Sequence, residues 1–131
     1  PCLCRLDYAG IKKYYKQKQD RRKQRYNSDI SFRIKCRLRS RLSDVLRGRK
    51  RTASTIHLLG CSISELIIHL QSRFVSGMSW DNYGTSWHID HIKPCASFDF
   101  ANPDEQRQCF HFSNLQPLWA KDNMSKGSKV A

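Results

Sequence analysis

Residues 87–94 read WHIDHIKP and place two histidines around an aspartate shortly before a proline. The run is short and Pro94 is unfavourable inside a central strand, so it predicts a strand that stops before the proline. Residues 109–119, CFHFSNLQPLW, predict a second strand or an irregular hairpin arm, and residues 120–128, AKDNMSKGS, predict a short helix stopped by Gly127. Strand, loop, strand and helix together make a ββα unit.

The chain before this unit is predicted to be helical. Residues 29–47 carry one apolar stripe on an otherwise basic helix, formed by Ile34, Leu38, Leu42, Val45 and Leu46. Residues 11–25 are either a solvated helix that orders on a partner or a disordered basic arm. Ser62 and Glu65 have the spacing of a capping box and predict the start of a further helix, which Gly77 ends.

The positive charge of the chain lies almost wholly in its first half. The chain has 131 residues and a formal charge of +13, and residues 1–58 hold 18 Lys and Arg against 4 Asp and Glu. Such a field points to a polyanionic partner, either nucleic acid or an acidic membrane surface. The predicted fold class is α+β, with a basic helical extension at residues 1–54 and a small ββα domain at residues 55–131.

The sequence also bears on location. No apolar run is long enough to span a membrane, and the amino-terminal residues lack the apolar region of a secretory signal. These features predict an intracellular protein, cytoplasmic or nuclear, that is neither secreted nor bound to a membrane.

The six cysteines are expected to be reduced, because their spacing is irregular and the predicted location is intracellular. If upstream residues are missing, Cys2 and Cys4 would be half of a truncated zinc ribbon. The later cysteines lack the paired Cys-x₂₋₄-Cys pattern of structural zinc sites. Structural zinc is therefore not expected, and the core is the assigned place of Cys61, Cys95 and Cys109.

Three motifs of the second half occur together: Asp90-His91, Asn114 within NLQPL, and Asn123 within DNMSKG. This combination resembles the HNH endonuclease family, the nucleases of the ββα-metal fold, in the style of the homing-type enzymes of phages and large DNA viruses. The resemblance covers roughly residues 56–129, with the motif itself at residues 87–127.

The resemblance implies metal-dependent hydrolysis of DNA phosphodiester bonds. Asp90 and Asn123 would bind Mg²⁺ or Mn²⁺, because hard cations prefer oxygen ligands. His91 would be the general base, since histidine readily exchanges a proton near physiological pH. Asn114 would complete the catalytic machinery by bracing the loop that holds the catalytic strand. Adjacent strand residues face opposite ways, so Asp90 and His91 share one phosphate only if the strand bends or ends there.

Other side chains are candidates for supporting roles. His88 shares the face of Asp90 by alternation and would contact the waters of the metal, bind phosphate or only pack. Lys126 would touch a phosphate or remain solvated. Contacts to the DNA backbone, which give affinity without reading sequence, are expected from Arg33, Lys35, Arg37, Arg39, Arg41, Arg49, Lys50 and Arg51.

The sequence therefore predicts an HNH-type DNA endonuclease whose basic helices hold the DNA backbone. One such site cuts one strand, so a double-strand break would need a homodimer or two successive events. Two alternatives stay open. One is a nucleic-acid-binding module whose ββα unit is only a scaffold, and the other is a toxin-like nonspecific nuclease kept silent by an acidic inhibitor protein.

Overall fold

A computed structural model describes residues 3–5, 7–47 and 50–127. It is an α+β protein, mostly helical, with a two-stranded antiparallel sheet. In chain order the elements are α1 (Tyr8–Ser28), α2 (Ile30–Leu46), α3 (Thr55–Leu59), α4 (Ile63–Gln71), β1 (Trp87–His91), α5 (Pro103–Phe110), β2 (Leu115–Trp119) and α6 (Ala120–Lys126). Single 3₁₀ turns occur at Leu3–Arg5, Trp80–Asn82, Cys95–Ser97 and Phe112–Asn114.

The two basic helices meet at Asp29. The backbone N–H of Asp29 donates to the carbonyl of Arg25 and closes α1, while its side chain accepts a hydrogen bond of 3.0 Å from the N–H of Phe32 and caps α2. That hydrogen bond is the main cause that lowers the pKa of the Asp29 carboxyl. Residues 11–25 are helical, but no residue of α1 is buried.

Helix α2 has the apolar stripe that the sequence predicted. Its buried residues are Ile34, Leu38, Leu42 and Leu46. The first two pack with Leu66, Leu70, Trp87 and Leu115, and the last two pack in a second cluster with Leu58, Phe100, Cys109 and Phe110. Both clusters therefore combine residues from before and after residue 54, and α2 rests directly on the elements that hold the ββα motif.

The ββα motif consists of β1, β2 and α6. The strands pair in antiparallel register from Trp87 opposite Trp119 to His91 opposite Leu115, and α6 contacts both. Pro117 lies opposite Ile89 at a position that exchanges no ladder hydrogen bonds, since hydrogen-bonded and non-hydrogen-bonded pairs alternate and the N–H of Ile92 donates to the carbonyl of Asn114 three positions along. The proline therefore leaves no carbonyl of β1 without its donor.

Several predicted boundaries are corrected. Helix α3 was not predicted; it is a single turn that ends at Gly60, whose φ of 74° is left-handed. Helix α4 begins with the predicted capping box, with bonds of 3.1 and 2.8 Å between Ser62 and Glu65, but it ends at Gln71 and not at Gly77. Helix α5 includes Cys109, which was assigned to the second strand; Asn102 caps α5 and the following proline occupies its first turn.

The connection from α2 to α3 is fastened by one buried amide. Gln106 is 1% exposed, and its oxygen accepts hydrogen bonds from the backbone and hydroxyl of Thr52 at 3.2 and 3.0 Å. Its nitrogen donates to the carbonyls of Phe100 and Lys50 at 2.8 and 3.3 Å. Every polar atom of this amide is paired, as burial requires, so residues 50–52 are held against α5.

The cysteines differ from the prediction at one position. Cys36, Cys61, Cys95 and Cys109 are free thiols. Cys4, by contrast, is disulfide-bonded, so the prediction that every cysteine is reduced is wrong there. The zinc-ribbon alternative also depends on Cys2, which lies outside the described residues.

None of the described helices combines the length and the apolar character that crossing a membrane requires.

Candidate active site

Asp90 lies on β1 with its carboxylate held from two sides. Gln116, its partner across the strand pair, donates to Oδ2 at 3.1 Å. Lys126, at the end of α6, places its Nζ 2.6 Å from the same oxygen. Among the described residues no donor reaches Oδ1 of Asp90, so this oxygen keeps its lone pairs for another ligand.

Lys126 is a nearly enclosed ammonium. Its side chain is 9% exposed, and besides Asp90 its Nζ donates to the carbonyls of His91 at 2.6 Å and Ile92 at 3.2 Å. Three acceptors match the three N–H bonds of the ammonium. In this arrangement Lys126 fastens the end of β1 to α6 and holds a positive charge against Asp90.

A cleft of about 800 Å³ joins these strand residues to the basic helices. One wall is formed by the end of the ββα motif, with His88, Asp90, His91 and Asn123. The facing wall comes from α1 and α2, with Arg22, Tyr26, Arg37 and Arg41. Arginines thus face a carboxylate, an amide and two imidazoles across one open space. Arg22 and Tyr26 were not among the site residues predicted from the sequence.

His91 and Asp90 both line the cleft although they are adjacent in the strand. The strand ends at His91, which removes the strict alternation that would point neighbouring side chains to opposite faces, so both residues reach the same cleft. The imidazole is 6% exposed, lies edge-on against Phe110 at 5.5 Å between ring centroids, and has a buried Nε2 without a hydrogen-bond partner. Both residues also line an adjoining cavity of about 270 Å³ together with Asn123 and Arg41.

Asn114 braces the turn after β1. Its Oδ1 accepts from the backbone N–H of Lys93 at 2.8 Å, and its Nδ2 donates to the carbonyl of the same residue at 3.2 Å. A further bond of 2.9 Å reaches the carbonyl of Cys109 at the end of α5. These bonds connect the turn that follows His91 to a separate helix, so Asn114 fixes where β1 ends.

Three side chains to which the sequence assigned unrelated roles, His91, Cys95 and Cys109, lie together in one cluster. Donor atoms of His91, Cys95 and Cys109 all lie within 4.8 Å of one another, and the two sulfurs are 3.6 Å apart. The hydrogen bond from Cys109 is the main cause that lowers the pKa of Cys95 to about 4, with His91 contributing and burial opposing. The same contact raises the pKa of Cys109. The cysteines lie 14 residues apart in the chain, so spacing gave no signal for their proximity.

The predicted DNA-binding residues divide among several places. Arg33 donates to the carbonyl of Trp80 at 3.2 Å and its Nε is buried, so part of its guanidinium is committed to the fold. Arg37 and Arg41 line the cleft. The others lie elsewhere: Lys35 and Arg39 line an adjoining groove that shares Arg22 with the cleft, Lys50 and Arg51 lie beside Gln106, and Arg49 is outside the described residues.

His88 lines the wall of the cleft that the ββα motif forms. Partial burial, and then the positive charge of Arg37, lower the pKa of His88. Arg37 itself donates to the hydroxyl of Tyr26 at 2.9 Å and lies over the ring of Tyr83 at 5.3 Å. His88 is therefore held more firmly in its neutral form than an exposed histidine.

Comparison with known proteins gives relatives without an assigned activity. The chain is similar to two uncharacterized proteins of Acanthamoeba polyphaga mimivirus. One is 39% identical over 110 residues, which cover 84% of this chain and 48% of that protein. The other is 32% identical over 114 residues, which cover 87% of this chain and 50% of that protein. The chain thus spans about half the length of these relatives; no protein-family model and no solved structure matches it.

Proposed function

We propose that this chain is a metal-dependent endonuclease of the HNH type, which hydrolyses DNA phosphodiester bonds in the cleft between α2 and the ββα motif. The observation that carries the proposal is that Asp90 and His91 of β1 and Asn123 of α6 line one cleft, whose facing wall holds Arg37 and Arg41 of α2. A phosphodiester needs cationic contacts for its oxygens and a base for the attacking water, and this cleft offers both.

The substrate class follows from charge. The formal charge of +13 is far larger than binding a small anion requires, and it is concentrated in the elements that form one wall of the cleft. Guanidinium groups pair well with phosphate because they offer several N–H donors in a fixed plane. A nucleic-acid backbone in the cleft would therefore lie between Arg22, Arg37 and Arg41 on one wall and Asp90 on the other.

The donor set of the ββα motif fits a hard divalent cation. Asp90 and Asn123 offer a carboxylate and an amide oxygen, and among the described residues neither Oδ1 of Asp90 nor the side chain of Asn123 receives a hydrogen bond. Mg²⁺ or Mn²⁺ would be held by these two residues with water in its other positions. When bound, the cation neutralises charge that develops on the phosphate and on the leaving 3′ oxygen.

His91 is the proposed general base. Its ring lines the cleft, and its Nε2 is not engaged by another group of the described chain. A neutral imidazole in such surroundings accepts a proton from a water placed against the phosphate. Asn114 acts through it as a positioning residue, because its bonds to Lys93 fix the turn that ends β1 immediately after His91.

Plasmid nicking tests the proposal. The protein is incubated with supercoiled DNA in Mg²⁺, and we expect relaxed circles, their loss in EDTA, and a decrease in rate of at least about 100-fold in His91→Gln and Asp90→Asn. The matched controls are His57→Gln and Asp81→Asn, at exposed positions outside the cleft lining. DNA binding measured on the same proteins should be unchanged by His91→Gln.

A second pair of variants tests the cleft as the DNA path. Arg41→Gln removes a charge from the cleft wall, and Arg39→Gln, two positions away in the sequence, removes an equal charge from the adjoining groove. We expect Arg41→Gln to slow nicking more than Arg39→Gln at equal salt. DNA binding without nicking under any divalent cation would instead identify a binding module, in which Lys126 permanently neutralises Asp90.

A further inference from the structure

We propose that His91, Cys95 and Cys109 form a second metal site, specific for a thiophilic ion such as Zn²⁺, and that this ion silences the proposed nuclease by occupying His91. The second half of this statement depends on the proposed function, whereas the first half does not. The site would be distinct from the oxygen ligands Asp90 and Asn123 and would have a different preference among metals.

The geometry of the three donors suits zinc. A tetrahedral Zn²⁺ with Zn–S bonds of about 2.3 Å separates two sulfur ligands by roughly 3.8 Å. The sulfurs of Cys95 and Cys109 are already 3.6 Å apart, and a nitrogen of His91 lies within 4.8 Å of both. Small side-chain adjustments would therefore complete three bonds, with no rearrangement of the backbone.

An independent observation at His91 also points to a ligand. The residue is only 6% exposed, and its buried Nε2 has no hydrogen-bond partner among the described residues. A buried polar nitrogen without a partner is costly, and coordination by an imidazole nitrogen is one way to satisfy it. The three residues come from β1, the turn after Pro94 and α5, so each is held by a different element.

The site has an open side. Cys95 is half-buried, and together with His91 it lines the cavity of about 270 Å³ that also touches Arg41 and Asn123. An ion bound by three protein ligands could take water from this cavity as its fourth. The same cavity gives the ion a route inward without passing through the core around Cys109.

The two proposed sites separate metals by chemistry. Thiolate ligands select zinc and other soft ions, while Mg²⁺ and Mn²⁺ prefer carboxylate, carbonyl and water. A zinc ion on His91 would use the lone pair that the imidazole needs to accept a proton from water. Zinc and the Mg²⁺-dependent reaction would thus exclude each other through one side chain, even with Asp90 and Asn123 unaffected.

Cobalt and zinc titrations test the site without any nuclease assay. Reduced protein freed of metal is titrated with Co²⁺, and we expect one equivalent to produce a thiolate-to-cobalt charge-transfer band that Zn²⁺ then abolishes. Loss of a group that only supports a ligand costs about 10–100-fold in affinity, so Cys95→Ser and Cys109→Ala should weaken Zn²⁺ binding by at least about 100-fold. Cys61→Ser, another free and partly buried thiol, is the control.

Cys109 is fully buried, so the result for Cys109→Ala counts only if that variant still unfolds cooperatively. Cys95 is half-buried, so Cys95→Ser should disturb the fold less and serves as the second variant. A cobalt spectrum without the thiolate band, or equal Zn²⁺ affinity in Cys95→Ser and the unchanged protein, would overturn the site. One equivalent of Zn²⁺ should also stop nicking in the unchanged protein and spare Cys95→Ser. Zinc binding without that inhibition would refute the regulatory half, and a protein that never nicks would still give a decisive titration.

Discussion

At the scale of single residues, the ammonium of Lys126 lies against Oδ2 of Asp90, the same carboxylate whose Oδ1 is proposed to bind a divalent cation. Its Nζ and the side-chain amide of Gln116 both donate to Oδ2 of Asp90. The ammonium also donates hydrogen bonds to the backbone carbonyls of His91 and Ile92. A lysine in that position keeps the carboxylate compensated before the cation arrives. It also repels the cation, because two positive charges then compete for one carboxylate.

This competition predicts the effect of Lys126→Gln. The amide keeps much of the length of the side chain but removes the charge, so we expect Mn²⁺ to bind at least about threefold more tightly. Binding is measured by the loss of the free Mn²⁺ signal in electron paramagnetic resonance. Lys121→Gln is the control, since Lys121 is exposed on the same helix. Weaker Mn²⁺ binding in Lys126→Gln would show that the lysine organises the site and does not compete for it.

The residues of the candidate site could be predicted only in part from the sequence. Asp90, Asn114 and Asn123 could be selected because they belong to one recognisable pattern, and all three lie at or next to the end of β1 in the structure. The cluster of Cys95 and Cys109 with His91 could not be predicted, because it depends on how the last turn of α5, which holds Cys109, packs against β1.

At the scale of secondary structure, the sequence predicted helix ends best where a local side-chain motif determines them. The capping box of α4 is contained within four residues and forms as predicted. The sequence predicted a connection with at most a helical turn where helix α5 lies, because the eight residues of α5 are mostly polar and only two of its apolar residues are buried. The apolar pair was therefore attributed to the strand that follows.

The capping box gives a prediction at this scale. Ser62→Ala removes the acceptor for the N–H of Glu65 and should lower the free energy of unfolding by about 0.5–2 kcal/mol. Ser64→Ala is the matched control: Ser64 is exposed within the same helix, where alanine is the better helix former, so stability should stay equal or rise slightly. Urea denaturation followed by circular dichroism measures both. Equal losses in the two variants would mean that the cap contributes no more than any other serine in α4.

At the scale of the whole molecule, α2 connects the basic half of the chain to the ββα motif. It contributes to both apolar clusters, and its other faces carry the basic residues. Arg33, Arg37 and Arg41 follow one another at four-residue intervals and face Tyr83 and the cleft, whereas Lys35 and Arg39 line the adjoining groove. The sequence predicts such faces from helical spacing, but not which of them meets Asp90, because that depends on how α2 packs.

The central claim is that oxygens of Asp90 and Asn123, 33 positions apart, share one divalent cation in this cleft. The most direct measurement is an anomalous difference map from crystals of the protein grown with Mn²⁺ in place of Mg²⁺. The account predicts one strong peak at about 2.0–2.3 Å from a carboxylate oxygen of Asp90 and the amide oxygen of Asn123, with the imidazole of His91 outside its coordination shell. Saturating Mn²⁺ with no peak there, or with the ion bound by other residues, would contradict it.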